Sequence, residues 1–164
     1  MRAFLQAAFV AVGMSLSLVG CGDEEPTGPG ALSGSMTASV DGQAWSAIQV
    51  SAGRSGADVI GLGGTSAAQT TISLSFTAAG PGTYAIPQTG MNFNFAEFAG
   101  GALWQALGIG QLGAVGSGSV TITTLSATRI VGTFHFRAPP AGGNPATADK
   151  VVTQGAFDIP IASN

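Results

Sequence analysis

The chain has 164 residues, a formal net charge of −3 at pH 7, and charged side chains at only 8% of its positions, against roughly a quarter in an average soluble domain. Its five basic residues are too few to form a basic patch, which argues against a nucleic-acid partner. The length suits one domain, and the single cysteine excludes a disulfide within the chain.

Residues 1–20 have the pattern of an export signal. Arg2 gives a positive start, and the segment from Ala3 to Val19 is apolar with few polar members. Such a segment is long enough for the hydrophobic region of a signal peptide, and it ends in small residues instead of continuing as a stop-transfer helix. We therefore expect residues 1–20 to be removed from the mature protein.

The end of this segment, Leu18-Val19-Gly20-Cys21, resembles the lipobox of bacterial lipoproteins. The resemblance implies diacylglycerol on the Cys21 thiol, cleavage before Cys21 and acylation of the new amino terminus. Two acyl chains anchor a protein stably where one is marginal, so membrane lipid is the implied partner. Gly22 follows where Asp would favour inner-membrane retention in enteric bacteria, which points to the outer membrane. The alternative is an ordinary signal peptide with an incidental cysteine.

Residues 21–34 are predicted to form a flexible tether. The segment is rich in Gly and Pro and carries three consecutive acids, Asp23 to Glu25. It has little apolar surface to bury, and its acids should be repelled by anionic lipid headgroups. The tether would hold a folded domain clear of a membrane.

From residue 35 to residue 164 the sequence predicts one all-β domain. Short runs alternate between apolar and polar residues, as in Thr71 to Thr77, and turn residues separate them. Asp41-Gly42 between two such runs is a strong hairpin signal. Eight to ten strands are expected, with 103–107 either a strand or a helical turn. The favoured architecture is an antiparallel β-sandwich, and a small closed or partly open β-barrel is the alternative.

Several of these runs together are similar to a family of bacterial lipoproteins of unknown function. The pieces include Asp41-Gly42 with Trp45, Gly82-Thr83-Tyr84, and the run from Gly132 to Phe136. They match the N-terminal D-G-x-x-W and the G-T-F-x-F strand of that family, over roughly residues 36–158. The resemblance implies an extracytoplasmic β domain and supplies no activity and no site.

The matched residues have structural explanations. Trp45 and Tyr84 are large anchors with a polar tip, typical of sandwich cores and edges. Gly132 and Gly155, inside strands, indicate bulges or a close backbone approach. Phe134 and its alternating neighbours Ile130, Gly132 and Phe136 are expected to face the core.

No catalytic or metal site is evident from the sequence. His135 is the only histidine and alternates with Thr133 and Arg137, which predicts a solvent-facing strand position. One histidine cannot build a multi-histidine metal site, and no G-x-S-x-G elbow is present. Gly108 to Gly113 spells a dinucleotide fingerprint, but the strand and helix context that the motif needs is missing. We therefore expect no cofactor, no metal and no enzymatic activity.

Two aromatic residues are the candidate ligand contacts. Phe98 and Trp104 fall in a Gly-rich stretch, where an exposed ring could contact a sugar or a partner, and burial would end that idea. The Ser/Thr faces at 71–77 and 121–123 could bind glycans, although a solvated sheet face explains them as well. The leading hypothesis is a membrane-anchored, non-enzymatic binding or structural module. A small-molecule or glycan-binding lipoprotein is the second, and a hydrolase with an unrecognised site is the third.

Overall fold

The computed structural model describes residues 33–56, 58–85, 91–97, 101–108 and 114–162. All belong to one compact unit, Leu32–Asn164, and within them no helix is long and apolar enough to cross a membrane. The strands are β1 (Ser35–Val40), β2 (Gln43–Ser55), β3 (Val59–Ser66), β4 (Thr70–Thr77), β5 (Gly82–Ala85), β6 (Asn92–Glu97), β7 (Ala102–Gly108), β8 (Ala114–Val115), β9 (Ser117–Leu125), β10 (Arg129–Ala138), β11 (Pro140–Ala141) and β12 (Lys150–Pro160).

All of these strands join one antiparallel sheet, which confirms the predicted fold class. The hydrogen-bonded order is β11-β7-β6-β4-β3-β2-β1-β12-β10-β9-β5, and β8 lies beside β7. The two shortest strands, β8 and β11, are separated from β9 and β10 by the single residues Gly116 and Pro139. These interruptions explain why there are more strands than expected.

The sheet curls over a single core, which fits a sandwich or a partly open barrel. Strand β11 continues β10 but pairs with β7, at the far end of the order, and the Gln105 amide donates to the Pro139 carbonyl at 3.0 Å. The curl brings the Phe93 ring of β6 to 5.8 Å from the Phe136 ring of β10. Both rings are almost fully buried. The two halves of the sheet thus share one core.

The Asp41-Gly42 hairpin forms as predicted and also holds the start of β12. Both residues have positive φ, 50° and 82°, as a two-residue type I′ turn requires. The Asp41 amide donates to the Val151 carbonyl, and the Asp41 carboxylate accepts from the Val151 amide, both at 2.9 Å. The Lys150 ammonium lies 3.0 Å from the same carboxylate. The sequence had indicated only the turn.

The pKa of Asp41 reflects this position. Partial burial acts to raise the pKa of the carboxyl, but the Val151 amide and the Lys150 ammonium together outweigh it. The net result is a pKa below the ordinary value for aspartate. The carboxylate is therefore held in its ionised form, in which it accepts both interactions.

Two strand glycines allow aromatic rings to lie directly on the backbone, as predicted. A Cβ on Gly132 would collide with the Thr121 carbonyl and the Phe157 ring, and one on Gly155 would lie 2.6 Å from the Phe134 ring. The ladders around them shift register, between β9 and β10 and between β10 and β12. Gly132 and Gly155 are therefore structural requirements of the core.

The structure also confirms the prediction that Trp45 and Tyr84 are large anchoring side chains with a polar tip. Trp45 is buried, and its indole nitrogen donates to the Thr70 hydroxyl at 2.9 Å. Tyr84 packs partly buried against the core, and its hydroxyl donates to the Gly80 carbonyl at 2.7 Å. Each ring therefore contributes apolar contact area while its polar atom stays hydrogen-bonded.

Candidate functional site

The outer face of strands β2, β3, β4, β6 and β7 is polar and, over its central rows, uncharged. We call it the polar face. Cross-strand register aligns its side chains, so that Ser51, Gly63, Ser73, Asn94 and Gln105 form one row. Asn94 donates from Nδ2 to the Ser73 hydroxyl at 3.2 Å within this row. Such contacts fix the positions of hydroxyl and amide groups on the surface.

An open groove of about 720 Å³ runs along β3 on this face. We call it the β3 groove. Its floor is β3 itself, where Gly61 and Gly63 point outward without side chains. The described residues that line it include no charged side chain. Side chains of the two neighbouring strands form its walls, Gln49 and Ser51 on β2 and Thr71, Ser73 and Ser75 on β4.

The walls of the groove are rows of hydroxyl groups. Thr65, at one end of the floor, is hydrogen-bonded to Thr71 with an oxygen–oxygen distance of 2.8 Å. Hydroxyl groups both donate and accept, and an amide side chain such as Gln49 also offers both functions. The walls can therefore satisfy a ligand that carries donors and acceptors in alternation.

Packing does not explain the glycine at position 61. A Cβ built on Gly61 meets nothing within 4 Å, and its φ lies outside the left-handed range. The same is true of Gly53, its register partner on β2. Glycine within a strand lowers stability by about 0.5–1 kcal/mol relative to alanine, so two adjacent open positions carry a cost that the fold does not require. Glycine inside a strand also marks places where a ligand comes close to the backbone.

Trp104 does not offer the exposed ring expected of a ligand contact. It lies on β7, not in a loop, and is only 6% exposed. Its indole nitrogen donates to the Ala148 carbonyl at 3.0 Å, and its ring lies 5.9 Å from that of Phe95. The reason is alternation: Trp104 and Ala106 face the core, while Gln105 faces outward. Burial therefore removes the basis for the predicted contact at Trp104.

The other two predicted site residues, Cys21 and Phe98, lie outside the described residues. The same holds for most of the Gly108 to Gly113 run. The lipid anchor at Cys21 therefore stays a prediction from the sequence.

Lys150 closes one end of the core beside Trp104. Its ammonium lies 4.9 Å from the Trp104 ring centroid and 5.3 Å from that of Phe95. It also pairs with Asp41 at 3.0 Å and approaches Glu97 at 3.8 Å. Every neighbour of this cation is thus a group of the fold, so the cluster has a structural explanation.

His135 is exposed on β10, as alternation predicted. Its Nδ1 lies 3.4 Å from the Ser119 hydroxyl, above a smaller depression of about 350 Å³. No carboxylate is among the described residues that line this depression, so the serine and histidine lack the third group that would orient the imidazole. Among the described residues, no three potential metal ligands come together.

The sequence indicated one wall of the β3 groove but neither its β2 wall nor its floor. The alternating Ser and Thr of 71–77 were predicted to form one sheet face, whereas no role was assigned to Gly61 and Gly63. What was missing was the register that sets Gly61 beside Ser75 and Gly63 beside Ser73. A sequence pattern that would have indicated the site is a strand with glycine at its outward-facing positions, paired with strands that carry Ser or Thr at theirs.

Fold and groove together define an all-β module with an uncharged polar recess on one outer face. The chain belongs to the family described as "Domain of unknown function (DUF6252)", which matches residues 33–160. This confirms the expected membership in a family of unknown function. Neither curated proteins nor solved structures give a match.

Proposed function

We propose that the chain is a lipid-anchored, extracytoplasmic binding module that holds its ligand in the β3 groove and acts without catalysis. The observation that carries the proposal is the pair of open glycines, Gly53 and Gly61, at and beside a groove with hydroxyl walls. A side chain at either position would improve strand stability. A recess for a ligand gives a reason for the glycines.

The absence of catalysis in this proposal rests on the groups that line the groove. Its described lining residues include no histidine, cysteine or carboxylate, the groups that usually supply general acid–base or nucleophilic chemistry. Hydroxyls and one amide can orient a ligand but are weak proton acceptors without a neighbouring base. Binding is the function that such a lining supports best.

The anchor rests on the lipobox-like run that ends at Cys21 and on the acidic tether behind it. For the mature chain extracted from membranes, we expect mass spectrometry to find an N-terminal peptide that begins at Cys21 and carries acyl chains. The Cys21→Ala variant should lack this lipid and leave the membrane fraction. An unmodified Cys21 peptide, or an intact 1–20 segment in mature protein, would overturn the anchor.

The binding part is tested by ligand-induced thermal stabilisation of the same extracted chain. A ligand at about 100 times its Kd adds about 2.7 kcal/mol to stability, which raises Tm by several degrees. A hit from a library of soluble saccharides, peptides and nucleosides should stabilise the wild type and leave the Tm of Gly61→Leu unchanged, because leucine fills the groove. The matched control is Ala44→Leu, at an exposed β2 position outside the groove, which should respond like the wild type. A hit that stabilises Gly61→Leu equally would place binding elsewhere.

A further inference from the structure

We infer that the ligand of the β3 groove is an extended, neutral, hydroxyl-rich glycan chain. This inference rests on the proposed function and adds the class of ligand. It follows from the charge, the hydrogen-bonding groups and the shape of the groove, which exclude other ligand classes in turn.

Charge excludes ionic ligands. None of the described lining residues is charged, so a phosphate, a carboxylate or an amine bound here would lose hydration without gaining an opposite charge. Nucleic acids and acidic polysaccharides need a row of cations along the backbone they follow, and the walls offer hydroxyls instead. A neutral ligand is the one that the groove can bind without an electrostatic penalty.

Sheet pairing excludes an extended peptide. A peptide that adds to a sheet needs an edge strand with free backbone groups, but β3 pairs with β2 on one side and with β4 on the other. The backbone groups at the floor are therefore already used in ladders. A peptide laid over this floor could therefore not pair with the sheet backbone and would have only the wall side chains as hydrogen-bond partners.

The floor and walls match the two kinds of surface on a sugar chain. Gly61 and Gly63 leave flat peptide planes without side chains, against which the C–H faces of a sugar ring can pack. Ser51 on one wall and Ser73 and Ser75 on the other can each donate to and accept from ring hydroxyls. An apolar ligand would cover these hydroxyls without offering them a hydrogen-bond partner.

The dimensions suit a chain and not a single compact molecule. The walls stand two strand spacings apart, about 9.5 Å, and the floor from Gly61 to Thr65 is about 13 Å long at the usual rise per residue. The groove is open at its surface, so affinity must come from contacts repeated along a linear ligand. A longer oligosaccharide should therefore bind more tightly than its monosaccharide.

The test uses isothermal titration calorimetry on the detergent-extracted mature chain with three probe classes. The neutral probes are cellotetraose, maltotetraose and chitotetraose, each beside its monosaccharide. The acidic probe is tetragalacturonic acid, and the peptide probe is a Ser/Asn hexapeptide. We expect at least one neutral tetrasaccharide to bind, with its monosaccharide and tetragalacturonic acid each weaker by about tenfold or more.

Two variants assign the binding to the groove. Gly61→Leu should weaken the tetrasaccharide by about tenfold or more, and Ala44→Leu should leave it unchanged. Gly61→Ala, a smaller obstruction, should give an intermediate loss, and circular dichroism should confirm that all three variants are folded.

The outcomes separate the two proposals. If the acidic probe or the peptide binds best, and Gly61→Leu removes that binding, the groove is a binding site and the glycan inference is wrong. If no probe shows binding that depends on Gly61, the glycan inference is wrong, and the proposed function is then decided by the thermal screen of the wild type against Gly61→Leu.

Discussion

Replacing Gly132 with alanine should destabilise the domain by about 3 kcal/mol, or prevent it from folding. The new Cβ would collide with the Thr121 carbonyl, which belongs to the neighbouring strand β9, and with the tip of the Phe157 ring. A ring can shift, but the carbonyl is fixed in the β9–β10 ladder. The expected measurement is a large fall in the urea midpoint and in Tm.

The matched control for Gly132→Ala is Gly61→Ala. Both positions are strand glycines without a positive φ, but a Cβ on Gly61 meets nothing within 4 Å. Alanine there should raise stability by about 0.5–1 kcal/mol. Equal losses of stability in the two variants would mean that general strand propensity, and not the close approach at Gly132, governs both positions.

The contrast between Gly132 and Gly61 shows how far the sequence could predict the surroundings of each glycine. Alternation placed Gly132 on the inner face with Phe134, and the short G-T-F-x-F run indicated a close approach. Gly61 lies in an equally apolar strand. The sequence did not show which of the two alternating sets of residues in that strand faces the core, and so it did not predict that Gly61 faces outward. Cross-strand register decides what each glycine touches, and register depends on neighbours far away in the sequence.

Trp104 is the case in which the same ambiguity misled the prediction. The run from Ala102 to Leu107 is apolar on both faces except at Gln105. Alternation there was therefore weak, and a strand and a helical turn both fitted the run, so the direction of the indole was not predicted. In the fold, β7 pairs with β6 over its length and with β11 opposite Leu103 and Trp104. Alternation along β7 places the indole in the core, where it donates to the Ala148 carbonyl in the connection between β11 and β12.

Glycine has different roles on the inner and the outer side of the sheet. The inner side uses glycine to let rings approach, as at Gly132 and Gly155, and gains stability from that packing. The outer side uses glycine at Gly53 and Gly61, where no packing results. Glycine at these two positions lowers stability by about 0.5–1 kcal/mol and allows no additional packing contact. Such residues are expected where function is favoured at the expense of stability.

Truncating Phe136 to alanine should destabilise the domain by about 3–5 kcal/mol, because the ring is almost fully buried. Phe136 lies on β10, in one half of the sheet, and its ring contacts that of Phe93 on β6, in the other half, at 5.8 Å. It also stacks on Phe134 at 6.3 Å. Loss of the ring therefore removes contacts between the halves as well as within one of them. Chemical denaturation of Phe136→Ala and Phe136→Leu should give a clearly smaller loss for leucine, which keeps most of the apolar volume.

A double-mutant cycle with Phe93→Ala separates the contact between the halves from simple loss of burial. Paired aromatic rings contribute about 0.5–1.5 kcal/mol beyond the area that they bury, so the double variant should lose less than the sum of the single losses. Phe95 lies on the same strand and its ring contacts that of Trp104 at 5.9 Å, with no ring contact to Phe136. The cycle of Phe95→Ala with Phe136→Ala is therefore the control and should show weaker coupling than the Phe93 cycle. Coupling in the control cycle but not in the Phe93 cycle would contradict this packing of β6 against β10. Coupling in the Phe93 cycle alone would show that the two halves of the curled sheet fold onto one another as a single cooperative core.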